Sequence, residues 1–386
     1  MKIYKVGGAV RDELLGLEPT DNDWVVVGST PKQMLSMGYK QVGKGFPVFL
    51  HPDTKEEYAL ARKEKSTGPG HGAFDFSFSP SVTLEEDLSR RDITINAIAK
   101  DMTDGTIIDP FGGINDIENK IIKHVSESFR EDPLRIFRVA RFRSKFYEMD
   151  FKIDGSPESG TWKIMIDMLP NIIHLSGERI WTETEKALNY KNPEIYFLCL
   201  LELCKGNEDF YYSIVTKNST LPPLWRWGYE EEFYKHHAYK INPGLVSPEA
   251  WWSIFSFLST DIDTLNQRLN VPKRFQRMSY LSREFRDKYF SKYHNLSYEE
   301  KVETLFKCIE KIHPNKNIEY AINVGYLAAH NILGEDDIYL LKDFFKKYAQ
   351  IGPKENEKKL DGPEIEKILN EKKLKLIKEE LNKDLD

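Results

Sequence analysis

VGGAVRDELLGLEPTDNDWVVVG, residues Val6 to Gly28, is the stretch on which the fold turns. KIYKV before it reads as a short strand, Val10–Leu15 as a short helix and DWVVVG as a buried strand, so a Gly-Gly turn and an Asp-Asn-Asp flank one small helix. Glycine has no Cβ, so backbone at Gly7-Gly8 can come close to a phosphate, and free N–H groups at a helix start favour its charge. Arg11, on the first helical turn, adds a charged donor. Asp21 and Asp23 stand two apart at the start of the second strand, and strand alternation would send both carboxylates to one face. Two such charges repel unless a cation sits between them, and hard oxygen ligands suit Mg²⁺. Taken alone, Asp-x-Asp is weak evidence for a metal and reads as a turn before a strand. Beside the glycine turn it points to a nucleoside triphosphate held next to a divalent cation.

Outward from this stretch, PKQMLSMG reads as a helix and FPVFLHPDTKEEYALAR as two strands joined at Pro-Asp-Thr-Lys. Glu57, after that turn, is either a third metal carboxylate or a plain surface strand residue. Lys65–Pro80, KSTGPGHGAFDFSFSP, reads as a mobile loop. GYKQVGKG, Gly38 to Gly45, has the spacing of a phosphate loop but ends in glycine where a hydroxyl should meet the metal, which excludes that reading. Beyond about Glu131 the pattern is helical almost throughout, in GERIWTETEKAL, PEIYFLCLLELC, PEAWWSIFSFL, EYAINVGYLAAHNIL and DDIYLLKDFFKKY. The expected fold class is therefore α+β: a head with a small mixed sheet, then an all-α remainder. Two tryptophans in AWWSIFSFL are expected in a core, and the closing helix from Pro363, with Lys and Glu interleaved, is expected to be solvated.

At 386 residues the chain has room for two to four domains. No apolar run approaches the roughly 20 residues of a membrane span, and MKIYKVGGAV has no secretory character, so a cytoplasmic protein with no membrane partner is expected. Three cysteines, at no zinc spacing, are expected to be reduced thiols. The net charge of −6 argues against a surface that coats nucleic acid throughout, while a local basic face stays open.

EEDLSRRDITINAIAKD carries Arg90, Arg91, Asp92 and Asn96, IIDPFGGINDI follows, and EDPLRIFRVARFRSKF sets Arg135, Arg138 and Arg141 at intervals of three, with Asp132 ahead of them. On a helix those arginines trace one drifting stripe, with Ile136, Phe137 and Ala140 on the buried side. The order GGAVRD, DND, RRDITINAIA, DPFGG and EDPLR resembles the head of the class II tRNA nucleotidyltransferases, the bacterial CCA-adding enzymes of the DNA polymerase beta-like superfamily. LSGERIWTETEKAL looks like the family's neck and LDGPEIEKILNEKKLKLIK like its tail.

The resemblance implies a catalytic head over 1–145 with the neck starting near 131, a helical neck over 146–205, a body over 206–290 and a tRNA-binding tail over 291–386. It implies a monomer that adds C, C and A to the 3′ end of tRNA from CTP and ATP with Mg²⁺. Asp21 and Asp23 would be the metal carboxylates. Gly8 and Arg11 would touch the nucleotide, Arg91 with Asp92 would lie near its ribose, Asp132 and Arg135 would read the base, and Arg138 and Arg141 would bind further. A carboxylate with a guanidinium suits cytosine and adenine, which both show an amine donor beside a ring-nitrogen acceptor. The Lys65–Pro80 loop would move in the switch from C to A. Some relatives carry a phosphohydrolase domain with a His-Asp pair. No such dipeptide occurs here, and His236-His237 read as surface residues. A poly(A) polymerase, or a CC- or A-adding enzyme, shares the head motifs.

Overall fold

In the computed structural model β1 (Lys2–Val6) leads into α1 (Gly8–Leu14), and β2 (Asp23–Val27) returns antiparallel to β1 with Val6 across from Asp23. The structure describes residues 1–42, 48–66, 74–204, 247–256, 262–288, 295–312, 322–324, 343–355 and 357–383. The chain divides into two units, Met1–Tyr234 and Lys235–Asp386.

In the first unit, α2 (Pro31–Ser36) starts at a capping box in which Thr30 and Gln33 each accept the other's backbone N–H. β3 (Lys40–Val42), β4 (Val48–Leu50) and β5 (Glu57–Leu60) follow, then β6 (Arg62–Ser66) and β7 (Phe74–Phe78), α3 (Leu84–Ser89), β8 (Ala99–Asp101) and β9 (Ile107–Ile108). Seven strands make one mixed sheet in the order β3-β4-β5-β2-β1-β8-β9, with β5 parallel to β2. Side-chain alternation along β2 divides its apolar residues between two clusters. Trp24 and Val26 join Met34, Phe49, Tyr58 and Leu60, and Val25 joins Tyr4, Val6, Leu88 and Ala99. Trp24 stacks on Tyr58, its partner in register, at 5.3 Å.

The expected loop over Lys65–Pro80 is in part strand. β6 and β7 pair antiparallel, with Lys65 across from Asp75, and only 67–73 of that stretch lie outside the described residues. The alternating Phe74, Phe76 and Phe78 were the strand signal, masked in sequence by the glycines before them.

The DPFGG motif is a helix start. Asp109 accepts the N–H groups of Gly113 and Ile114, both at 2.8 Å, at the head of α4 (Gly113–Glu118). Gly112 takes the left-handed conformation at φ 74°, and a Cβ on Gly113 would stand 2.3 Å from the Thr94 carbonyl oxygen. Short parallel strands β10 (Ile121–Ile122) and β11 (Lys152–Ile153) bracket α5 (Leu134–Lys145), and α6 (Gly160–Met168), α7 (Gly177–Leu188) and α8 (Glu194–Cys204) follow.

The second unit is helical where described: α9 (Pro248–Ser256), α10 (Ile262–Leu269), α11 (Lys273–Lys288), α12 (Tyr298–Ile312) and α13 (Gly362–Lys383). Trp251 and Trp252 are buried, as the sequence led one to expect. The closing helix α13 is not simply solvated. Ile377 and Leu381 join a core with Val302, Ile309 and Phe345, and buried Lys373 pairs with Glu310 at 2.8 Å. Its Lys/Glu pattern hid that stripe. His236-His237 and the first part of the expected body lie outside the described residues. Cys199 and Cys308 are buried free thiols. Among the described residues no helix is long and apolar enough to cross a membrane.

Candidate active site

Gly8, Arg11, Asp21, Asp23, Arg91, Asp132, Arg135, Arg138 and Arg141 all line one cleft of about 600 Å³ in the first unit. Glu57, exposed on β5, does not line it.

Asp23 is the first residue of β2, while Asp21 precedes the strand. Strand alternation therefore accounts for Asp23 alone, and Asp21 reaches the same cleft from the turn before it. Both are exposed, and neither side chain has a hydrogen-bond or ionic partner among the described residues. Asn22 between them is tied away from the cleft: its Nδ2 donates to Glu56 Oε1 at 2.9 Å, and Thr54 donates to Glu56 Oε2 at 3.0 Å. The Asn22 hydrogen bond holds the Glu56 carboxyl below its ordinary range.

Of the two turn glycines, Gly7 is the one in a conformation that requires glycine. Its φ of 72° with ψ of −136° suits glycine alone. A Cβ there would stand 2.8 Å from Arg91 Nη1 and 3.6 Å from Asp23 Oδ2. The bare turn thus lets an arginine and an acid of the cleft close over it.

The arginines are held firmly. Arg11 is 4% exposed. Its Nε donates to Asp12 at 2.8 Å, its Nη1 bonds Asn96 Oδ1, and its guanidinium lies 5.0 Å from the Phe146 ring. Lys145 pairs with the other oxygen of Asp12 at 3.1 Å, and burial pushes its ammonium below its ordinary range, with Arg11 adding to the effect. Asp87, fully buried, accepts from Arg90 at 2.6 Å and from Arg91 at 3.4 Å. Asp92 accepts from Arg138 at 2.7 Å and from Asn96 at 3.1 Å. Burial alone would raise the Asp92 carboxyl, but Arg138, Asn96 and Arg135 outweigh it and hold the group far below the usual carboxylate range. Arg141 donates to Glu183 at 2.5 Å and to the Tyr190 hydroxyl at 2.8 Å, over the Phe142 ring at 4.2 Å. Arg135 donates to the Arg90 carbonyl. Asp132 accepts the Leu134 N–H at 3.1 Å and pairs with Arg179 at 2.8 Å, so its nearest cation comes from α7 and is not Arg135.

The stripe on α5 is therefore no solvated basic face: Arg135 and Arg141 are buried with Ile136 and Ala140. What covers it is the RRD segment and α7. Asp12, Lys145, Arg179, Lys186 and Tyr190 also line the cleft, and nothing in local spacing marked them. Ten cationic and five acidic side chains line it in a chain whose net charge is −6. Such a cleft draws in a polyanion, and its two unpartnered carboxylates offer hard oxygen ligands for a divalent cation.

Residues 3–123 match the family model described as "Poly A polymerase head domain", and residues 155–203 match "Probable RNA and SrmB- binding site of polymerase A". The CCA-adding enzyme of Actinobacillus succinogenes is 56% identical over 203 residues, which is 53% of this chain and 50% of that protein. The multifunctional CCA protein of Haemophilus influenzae is 57% identical over 199 residues, 51% of this chain and 47% of that one. The chain thus spans about half the length of the curated relatives it matches. Its fold is shared over nearly its whole length with two solved structures. One is the Bacillus stearothermophilus CCA-adding enzyme in complex with CTP (TM-score 0.59, 23% identity, 98% of this chain and 89% of that chain). The other is the Thermotoga maritima CCA-adding enzyme complexed with tRNA (TM-score 0.64, 20% identity, 100% and 92%). The head match takes in the glycine turn, both acids and the RRD segment, and the second match runs through α7, so the similarity to the CCA-adding enzymes covers the residues that build this cleft.

Proposed function

We propose that this protein adds C, C and A to the 3′ end of tRNA from CTP and ATP, releasing pyrophosphate, with Mg²⁺ held by Asp21 and Asp23. The observation that supports this most is the meeting of an unpartnered acid pair, a glycine turn and a fixed arginine cluster in one cleft. The donor set fits the metal: two exposed carboxylates beside a turn where a Cβ would crowd Arg91 Nη1. Bound there, Mg²⁺ would lower the pKa of the tRNA 3′-hydroxyl and steady the charge on the leaving pyrophosphate.

The chain's own residues do the rest. Gly7 and Gly8 keep side-chain bulk away from the triphosphate, and Arg91 lies over that turn to meet it. Arg11, pinned by Asp12 and Asn96, presents its charge without reorganising when the substrate arrives. Asp132, held by the Leu134 N–H and Arg179, offers an acceptor to the exocyclic amine that cytosine and adenine share, with Arg135 supplying the donor for their ring nitrogen. Uracil and guanine would set a carbonyl against the carboxylate. No side chain need act as a nucleophile. The resemblance to family relatives favours the cytoplasm as its place of work.

Incubating the protein and Mg²⁺ with tRNAs that end before CCA, at CC and at CCA, with CTP and ATP given separately, tests the reading. C, then C, then a single A, and nothing on the complete end, is the expected product. The head-domain match to poly(A) polymerases names the chief rival, and a homopolymer of A would favour it.

A further inference from the structure

Asn96 is 6% exposed, and its neighbours permit its amide one orientation. Oδ1 accepts from the Arg11 guanidinium while Nδ2 donates to Asp92 Oδ1 at 3.1 Å. Turned over, the amide would set N–H against guanidinium and oxygen against carboxylate. Asp92 is fully occupied in its turn. Oδ1 takes Asn96 and the Ile93 N–H at 2.9 Å, and Oδ2 takes Nε and Nη2 of Arg138, each at 2.7 Å. A carboxylate has about four acceptor sites, so Asp92 has none to spare for a ligand hydroxyl.

We propose that Asn96 is a positioning residue for nucleotidyl transfer: through Asp92 it ties the guanidinium of Arg11, packed against Gly8, to that of Arg138 on α5, fixing both before the nucleotide arrives. The proposal rests on the reading of the cleft given above. The chemistry explains why an amide stands here. Arg11 already has Asp12 as its counter-charge and Arg138 has Asp92, so the group between must accept on one side and donate on the other without adding charge. An acid at this position would press two carboxylates together, and an apolar residue would leave buried polar groups unmatched. In a buried network every member's orientation depends on the others, so one wrong group shifts both arginines.

The test compares four full-length proteins: wild type, Asn96→Asp, Asp92→Asn and the exchanged pair Asn96→Asp with Asp92→Asn. Each is measured for kcat and KM in CTP incorporation into tRNA lacking CCA, for equilibrium binding of Mg-CTP, and for thermal melting. The exchanged pair restores a donor facing an acceptor at unchanged net charge. Each single variant should lose about 100-fold in kcat, the scale of a misplacement near 1 Å, with a much smaller change in KM, and the exchanged pair should recover a large part of that loss. Wild-type kcat in Asn96→Asp overturns the proposal, as does an exchanged pair that is unfolded or no better than the worse single variant. If wild type binds Mg-CTP but extends no tRNA, the transfer reading fails. Mg-CTP affinity across the same four proteins, expected in the same order, then decides on Asn96 by itself.

Discussion

The acids and the arginines of the cleft are built in opposite ways. Asp21 and Asp23 are exposed and have no side-chain partner among the described residues, whereas Arg11 and Arg141 are nearly buried and carry Asp12 and Glu183 as counter-charges. The arginine cluster therefore folds as part of the head, with its charge placed in advance. The acid pair gains little from folding and is completed only by a cation from outside.

Removing a partner from the arginine cluster should be costly. Arg138→Ala strips two hydrogen bonds from buried Asp92 and should destabilise the first unit by about 3 kcal/mol in urea melts near neutral pH. The sign follows from the depressed Asp92 carboxyl: the pair's stabilisation is present above the ordinary value of 3.8 and is lost as pH falls below it. The difference between variant and wild type should accordingly shrink in acid. Equal urea midpoints at neutral pH would mean that the cluster is not built in.

Gly7→Ala tests the turn between the two groups. Backbone strain at φ 72° should cost about 2 kcal/mol, and the displaced Arg91 should reduce nucleotide incorporation further than that loss alone explains.

Glu194, at the start of α8, is a third kind of acid: buried, with one oxygen lacking any hydrogen-bond partner and its carboxyl pushed up to about 7 by burial. Its contribution to stability is full below pH 4.5 and is lost as pH rises through 7. Glu194→Gln should melt higher than wild type at pH 8.5, by roughly 1–2 kcal/mol, and match it near pH 4. An unchanged melting temperature at pH 8.5 would show that Glu194 gains a partner in solution.

The smallest effect should come from Asp109→Ala, which removes the cap of α4 outside the cleft. It should cost about 1 kcal/mol with CTP incorporation retained.

Where contacts are local, sequence was a good guide to this molecule. The glycine turn, the strand from Asp23 and α7 over Gly177–Leu188 fall where spacing and propensity put them. The residues of the expected site, Asp92 included, do line one cleft. What could not be read was tertiary. Glu183 is one of two acids in TETE, and only the packing of α7 on α5 sets it against Arg141. Arg179 reaches Asp132 across 47 positions, and Asn96 reaches Arg11 across 85. Periodicity described the α5 arginines as a surface stripe because it registers polarity along one helix and says nothing of acids brought from elsewhere.

Metal rescue of Asp23→Cys tests most directly whether the exposed acid pair waits for a cation. CTP incorporation into tRNA lacking CCA would be measured for wild type and variant in Mg²⁺ alone and with Mn²⁺ or Cd²⁺ added, since thiolate favours softer ions. The account predicts a variant that keeps its melting temperature, is inactive in Mg²⁺ and regains turnover with the softer metal. A variant as active as wild type in Mg²⁺ alone, or a folded one that no cation restores, would contradict it.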